Sequence, residues 1–85
     1  MSAYDKDIAR LKSAPHNLKY ADLVRILSKL GYKEQARGQS AGSGVSFYNS
    51  TTTDLIFMHR PHPSPDVDRG CLKAIVKHLE SQGVI

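Results

Sequence analysis

Two apolar stripes with the same helical spacing lie in the two halves of this chain and enclose a segment in which apolar residues alternate. Each stripe places apolar residues at i, i+3, i+4 and i+7, the pattern of a helix with one buried face. The stripes are Leu23, Ile26, Leu27, Leu30 and Leu72, Ile75, Val76, Leu79. A chain of 85 residues has room for one modest core, which both helices must share. The pattern therefore predicts a single α+β domain.

The ends of these two helices also carry sequence signals. The first helix starts at Tyr20, and Gly31 follows its last apolar residue as a predicted C-terminal stop. Before the second helix stand Asp66 and Asp68, and either carboxylate can cap its first turn. Both helices are therefore bounded as well as amphipathic.

A weaker helical pattern covers residues 5–13 and ends at Pro15. A helix this short is marginal unless tertiary packing supports it. We therefore predict that residues 1–16 are an N-terminal extension, an appendage to a domain formed by residues 17–85.

The segment between the two strong helices predicts three short antiparallel strands. Tyr32–Arg37 is polar and is predicted to be an edge strand, whereas the alternation of Val45–Tyr48 and the run Asp54–His59 predict a hairpin. Residues 38–44 form a Gly/Ser-rich connection between the first two strands. The three prolines of residues 60–65 exclude a helix or a strand there and predict a stiff extended connector.

The second hairpin strand is apolar on both faces, which is typical of a central strand or of one covered by another chain. Because two helices cover only one face of a sheet, some of Tyr48, Ile56 and Met58 are candidates for exposure to a partner or a second copy. Leu55 and Phe57 are predicted to be buried in the core.

The charge of the chain favours anionic partners. Its net charge is +4, and residues 1–40 supply all of this excess, with eight basic against four acidic residues. Arg69, Lys73 and Lys77 recur every four residues along the last helix and could follow a phosphate backbone. Further candidates for phosphate contact are Lys33, Arg37 and Arg60. The alternative is a solvated helix face, the commoner fate of such charges.

Several classes of site are disfavoured by the sequence. The single cysteine, Cys71, cannot form an internal disulfide or a Cys-x-x-Cys motif, and is predicted to be a small core residue. His59 and His62 have no evident third metal ligand, and no phosphate-binding glycine motif for a nucleotide is present. No run approaches the roughly 18 apolar residues of a membrane span. We expect a soluble, cytoplasmic protein without a metal or other cofactor.

Three motifs in order carry a family resemblance. The first is the helix that ends in Gly31-Tyr32, and the second is Gly42-Ser43-Gly44 before an apolar strand. The third is His62 in a Pro-rich connector, followed eight residues later by Gly70 and a Leu-x-x-Ile-x-Lys helix. Together they resemble the HicA family of bacterial toxins, small enzymes that cleave mRNA and are inhibited by an antitoxin called HicB. The resemblance runs from about residue 17 to the C-terminus.

This resemblance implies a fold similar to a double-stranded-RNA-binding domain, with a three-stranded antiparallel sheet and two helices on one face. It implies a metal-independent endoribonuclease, an mRNA substrate, a HicB-like antitoxin as partner and oligomers that form through the antitoxin. It also places the family's catalytic histidine at position 44 and makes His62 a second candidate. An imidazole suits acid or base catalysis because its ordinary pKa of about 6.5 lies near neutrality. Ser43 and its neighbouring backbone amides are candidates for phosphate contact.

The chain departs from the family at the catalytic position, where Gly44 has no side chain to move a proton. Three explanations are open: a substitution engineered into an active toxin, a subgroup that uses another residue such as His59 or His62, or a relative that only binds. The functions that remain open are a toxin-type endoribonuclease for which Gly44 marks the catalytic position, a non-catalytic RNA-binding module of the same fold, and a protein-interaction domain. The local alternatives are that His59 packs at a strand end, that His62 shapes the Pro-rich turn and that the glycines only permit a positive φ.

Overall fold

Three helices and one three-stranded antiparallel sheet make up the fold in a computed structural model, which describes residues 3–36, 44–61 and 65–85. The elements are α1 Ala3–Lys12, α2 Tyr20–Lys29, β1 Tyr32–Ala36, β2 Gly44–Asn49, β3 Asp54–His59 and α3 Arg69–Ser81. This order of helix, three strands and helix, after an N-terminal helix, confirms the predicted α+β fold and its likeness to a double-stranded-RNA-binding domain.

The sheet has the order β1-β2-β3, so the prediction that β1 is an edge strand is confirmed. In β2, Val45 pairs with Met58 of β3, and Phe47 pairs with Ile56. All four side chains are buried in one apolar cluster with the helix stripes. The core therefore lies between the helices and the β2–β3 hairpin.

The expected burial of Leu55 and Phe57 is wrong. Their side chains are 52% and 54% exposed, whereas Ile56 and Met58 are only 6% and 4% exposed. The reason is the register, because directly paired residues share a face of the sheet and Phe47 draws Ile56 into the core. Of the two alternatives for this strand, the central position is wrong, since β3 is the second edge strand, and coverage by another chain stays a prediction.

The predicted end of α2 at Gly31 is confirmed, and a buried asparagine explains why a side chain fits poorly at this position. Gly31 has a φ of 96°, and a Cβ there would lie 3.1 Å from Nδ2 of Asn49. That nitrogen donates to the Leu30 carbonyl at 3.3 Å, while Oδ1 of Asn49 accepts from the backbone N–H groups of Thr51 and Thr52. One side chain thus joins the end of α2 to the turn of the hairpin.

The segment before α2 is tied to the segment before α3. The Val67 N–H donates to the Leu18 carbonyl at 2.8 Å, and both side chains are buried. Of the two candidate caps, Asp68 is the one used, because its carboxylate accepts from the Cys71 N–H at 3.1 Å. Asp66 lies instead within 3.4 Å of the Lys19 ammonium group.

The N-terminal helix, predicted to be an extension of the domain, packs against the other two helices. Leu11 is fully buried, Ala14 is 2% exposed, and α1 contacts both α2 and α3. On the surface of the same helix, the Asp7 carboxylate forms ion pairs with Arg25 at 2.7 Å and Lys29 at 2.9 Å. Tertiary packing thus supplies what this short helix lacks alone. Where the functional domain begins stays a prediction.

The Asp7 ion pairs should make stability depend on acid pH. Hydrogen bonds from Arg25 and then Lys29 lower the pKa of Asp7 to about 2. A carboxyl whose pKa is lowered by folding stabilises the fold above its ordinary pKa of about 3.9 and loses that contribution as the pH falls through the folded value. We therefore expect the Tm to fall between roughly pH 5 and 2, and to fall less in Asp7→Asn.

Thermal unfolding followed by circular dichroism across this pH range measures the effect. Glu80→Gln, which removes an exposed carboxylate from α3, is the control for lost charge. Equal pH dependence in Asp7→Asn and Glu80→Gln would contradict the importance of the α1–α2 ion pairs.

Candidate functional site

The sheet surface turned away from the helices carries the catalytic position predicted from the sequence. Side chains alternate between the two faces of a strand, and directly paired residues lie on the same face. Because Val45, Phe47, Ile56 and Met58 face the core, the register determines which of the other residues in the sheet face away from it. We call this surface the open face, and its described residues are Lys33, Gln35, Gly44, Ser46, Tyr48, Leu55, Phe57 and His59.

Gly44 is the first residue of β2 and pairs directly with His59, the last residue of β3. A side chain at position 44 would therefore project from the open face beside the His59 imidazole, since directly opposed Cβ atoms lie about 4.5–5.5 Å apart. Sequence reasoning singled out both residues but did not place them together. Gly44 itself offers only backbone atoms, so the side chain that can carry a proton in this pair belongs to His59.

An aromatic surface surrounds this pair. The rings of Phe57 and His59 are 5.3 Å apart with an interplanar angle of 82°, an edge-to-face contact. Phe57 pairs with Ser46, a small residue only 3% exposed, and half-buried Tyr48 follows on β2. Phe57 and Tyr48 are therefore accessible to different degrees on the open face, whereas Ser46 in the centre of the sheet is buried.

The two faces of the sheet differ in charge. All eight acidic residues lie within the described parts of the chain, and none of them is on the open face. They are Asp5, Asp7, Asp22, Glu34, Asp54, Asp66, Asp68 and Glu80. The two that belong to the sheet, Glu34 and Asp54, pair with core-side positions of β2. With exposed Lys33 and without a carboxylate, the open face suits an anionic ligand.

The predicted basic stripe of α3 is divided. Lys73 and Lys77 are exposed, but Arg69 is half-buried. The Arg69 Nε donates to the Ala14 carbonyl at 2.8 Å, and Nη1 lies 3.2 Å from the His16 ring. Arg69 therefore holds the segment after α1 against the start of α3, and two lysines are left as an exposed pair.

Arg60 lies apart from both of these surfaces. The hydroxyl of Tyr20 donates to the Glu34 carboxylate and also hydrogen-bonds with Arg60. Burial, and then the hydrogen bond to Glu34, raise the pKa of Tyr20 to about 12. The structure thus does not bring Lys33, Arg60 and the α3 lysines onto one surface.

Three predicted site residues, Arg37, Ser43 and His62, lie outside the described residues. Their predictions rest on the sequence alone.

A polar cluster that sequence reasoning missed lies on the helix side of the sheet. The Tyr32 hydroxyl donates to Asp54 at 2.5 Å, and Nε2 of His78 lies 2.8 Å from the same carboxylate. Burial raises the pKa of Tyr32; burial alone would also raise the pKa of Asp54, but the hydrogen bonds from Tyr32 and His78 bring it below its ordinary value. The cluster joins β1, β3 and α3 on the face opposite position 44.

Cys71 is partly buried against the core, close to its predicted place. Burial, followed by the Asp68 carboxylate, raises the pKa of its thiol. A raised pKa disfavours the thiolate, so Cys71 is poorly suited to act as a nucleophile.

Within residues 3–36, 44–61 and 65–85, no group of three or more His, Cys, Asp or Glu residues is arranged to hold a metal ion. In the same part of the chain, each helix is too short or too polar to cross a membrane.

Comparison with known proteins agrees with the fold. A family model for the HicA toxin of bacterial toxin–antitoxin systems matches residues 20–80. No curated protein and no solved structure matches the chain significantly. The matched span contains α2, the whole sheet with position 44 and most of α3. The chain therefore belongs to the HicA toxin family, and as a toxin of such a system it implies a cognate antitoxin partner.

Proposed function

We propose that this protein is the toxin of a type II toxin–antitoxin pair, with the scaffold of a metal-independent endoribonuclease that acts on mRNA and thereby blocks translation. Gly44 stands where the family's catalytic histidine is expected, so this form lacks its principal proton carrier. The observation that carries the proposal is the pairing of Gly44 with His59 on a sheet face without carboxylates.

This pairing suits the chemistry of RNA cleavage. When a 2′-hydroxyl attacks the adjacent phosphorus, a base takes its proton while an acid gives a proton to the departing 5′-oxygen. An imidazole at position 44 would stand beside the His59 imidazole, so that two proton carriers could flank one phosphate. With Gly44, one of the two is absent.

The test is RNA cleavage in the presence of a chelator by the unsubstituted chain and by Gly44→His. Cleavage that appears with the histidine supports an inactivated nuclease, and its absence from both proteins rejects the proposal.

The remaining partners and boundaries belong to the same proposal. A HicB-like antitoxin binds the toxin in the cytoplasm, and oligomers form through that antitoxin. Residues 17–85 form the functional domain, and the helix within residues 1–16 supports it from the helix side. The family match, which begins at residue 20, supports this boundary.

The basic residues are proposed to bind RNA phosphates in two groups. Lys33, with Arg37, Ser43 and His62, serves the region of position 44, whereas Lys73 and Lys77 form a second contact on α3. Arg60 and Arg69 are already hydrogen-bonded, to Tyr20 and to the Ala14 carbonyl respectively, so each can contribute to phosphate binding only through the guanidinium N–H groups that these bonds do not use.

We expect the double variant Lys73→Ala/Lys77→Ala to lower the salt dependence of RNA binding. Each lost contact with a phosphate of a single strand reduces the slope of log K against log[salt] by about 0.7. Fluorescence anisotropy with labelled RNA at several salt concentrations measures that slope. Lys6→Ala/Lys12→Ala removes two exposed charges from α1 and is the matched control. Equal slopes in the two double variants would show that the α3 lysines are only a solvated face.

A non-catalytic RNA-binding module is the second candidate function, and the missing side chain at Gly44 favours it. A protein-interaction domain is a third, favoured by the exposure of Leu55 and Phe57. RNA binding without cleavage by Gly44→His would select the module, and a lack of both RNA binding and cleavage would select the interaction domain.

A further inference from the structure

We propose that the open face binds single-stranded RNA by stacking bases on Phe57 and Tyr48, next to position 44. This inference rests on the proposed function in one respect, that the ligand is RNA. It adds the form of the RNA and the side chains that hold its bases.

The exposure of Phe57 is the first observation. The other phenylalanine, Phe47, is fully buried, whereas the Phe57 side chain is 54% exposed on an edge strand. The edge-to-face contact with His59 orients the Phe57 ring beside position 44. An oriented, exposed ring beside position 44 is suited to receive the flat surface of a base.

The second observation is the position of Tyr48. Phe57 pairs with Ser46 and Tyr48 pairs with Leu55, so the two aromatic residues are diagonal neighbours on one face. Diagonal neighbours across an antiparallel pair are about 7–8 Å apart, within reach of two consecutive unpaired nucleotides. Sheets that bind RNA in other folds stack two or three bases on aromatic residues in this way.

The third observation is charge, which favours RNA over protein as the occupant. The open face has Lys33 and His59 but none of the eight acidic residues, so it complements a polyanion. Stacking also requires unpaired bases, because the bases of a duplex already stack on one another. The face therefore selects single-stranded segments, unlike the shape-based recognition of double-stranded RNA expected from the fold resemblance.

The experiment measures binding of labelled, unstructured oligoribonucleotides in chelator, oligo(U) and oligo(A), by fluorescence anisotropy. Replacement of an aromatic side chain that stacks on one base weakens binding about 5- to 150-fold, and we expect Phe57→Leu to lose affinity within this range. Phe57→Tyr keeps an aromatic ring and should stay within about 2-fold of the unsubstituted chain. Leu55→Ala is the matched control, since Leu55 is equally exposed on the same strand and face but has no ring. It should lower the affinity less than Phe57→Leu does, because Leu55 lies on the same face but offers no ring to a base.

A second readout does not depend on any substitution. In proton NMR spectra, a base stacked on Phe57 should shift its ring protons upfield when the oligonucleotide is added. The ring of Phe47, which lies in the core, should keep its resonances and provides an internal reference.

Several results would overturn the inference. These are an absence of RNA binding, an unchanged affinity in Phe57→Leu, or equal losses in Phe57→Leu and Leu55→Ala. If both variants keep RNA binding but no longer co-purify with the product of the adjacent gene, the open face is a protein surface. If Phe57→Leu weakens binding although Gly44→His cleaves nothing, base stacking stands and the nuclease proposal fails. If Gly44→His cleaves RNA but Phe57→Leu does not change binding, the nuclease proposal stands and base stacking fails.

Discussion

Gly44→His is expected to cleave RNA about 10²–10⁴-fold faster than the unsubstituted chain, the usual contribution of a well-placed general acid or base. Gly44 lies in a regular antiparallel ladder, whose extended backbone any residue can adopt. The new imidazole would project from the open face beside His59, where a phosphate can lie between two proton carriers. Rates are measured with a fluorogenic RNA in chelator near pH 7, and thermal unfolding confirms that the variant is folded.

Gly44→Gln is the steric control, because its amide is similar in size to an imidazole but does not titrate near neutral pH. The rate of Gly44→His should change with pH around the ordinary imidazole pKa of about 6.5, whereas Gly44→Gln should remain inactive. If His59 is the second proton carrier, adding His59→Gln to Gly44→His should lower the cleavage rate. It should also remove one of the two ionisations from the dependence of that rate on pH. Equal cleavage by the unsubstituted chain and Gly44→His would show that position 44 is not the missing group.

The positions of the elements could be predicted because their signals are local. The helical stripe that ends at Gly31 lies within one segment, and so does the alternation of Val45–Tyr48. The structure adds at Gly31 what the sequence does not show, the Asn49 side chain that would crowd any Cβ there. Local pattern thus predicted where α2 ends, and a contact between distant segments explains why.

The exposed face of β3 could not be predicted from β3 alone, since it is apolar on both sides and a period of two does not orient it. Register decides the matter, because Asn49 and Asp54 close the hairpin and fix every later pair. Combined with the alternation of β2, this closure buries Ile56 and pairs Gly44 with His59. Counting the residues of the β2–β3 turn could therefore have corrected the predicted burial of Leu55 and Phe57. The same count would have paired Gly44 with His59.

Other features depend on contacts between segments far apart in the sequence. The spacing of Arg69, Lys73 and Lys77 predicts one basic stripe, but cannot show that the first of them bonds to the Ala14 carbonyl. The meeting of Tyr20, Glu34 and Arg60 likewise joins three segments. Helical spacing identifies which side chains share a face of a helix, and tertiary packing decides which of them remain available to a ligand.

Leu11→Ala is expected to lower the free energy of unfolding by about 2–5 kcal/mol, the usual cost of removing a fully buried leucine side chain. The large effect follows from the position of α1, which packs against α2 and α3 and is not a loose extension. Marginal native stability makes such a loss severe, because small domains have only about 5–15 kcal/mol in total. Urea unfolding followed by circular dichroism measures the change.

Lys12→Ala is the matched control, since Lys12 is the next residue on the same helix and is exposed. It should change the free energy of unfolding by no more than about 0.5 kcal/mol, because surface substitutions without special contacts are usually that mild. A similarly small effect of Leu11→Ala would mean that α1 is detached in solution and that the core closes without it. A large effect would make α1 part of the folding unit although the family match begins only at residue 20.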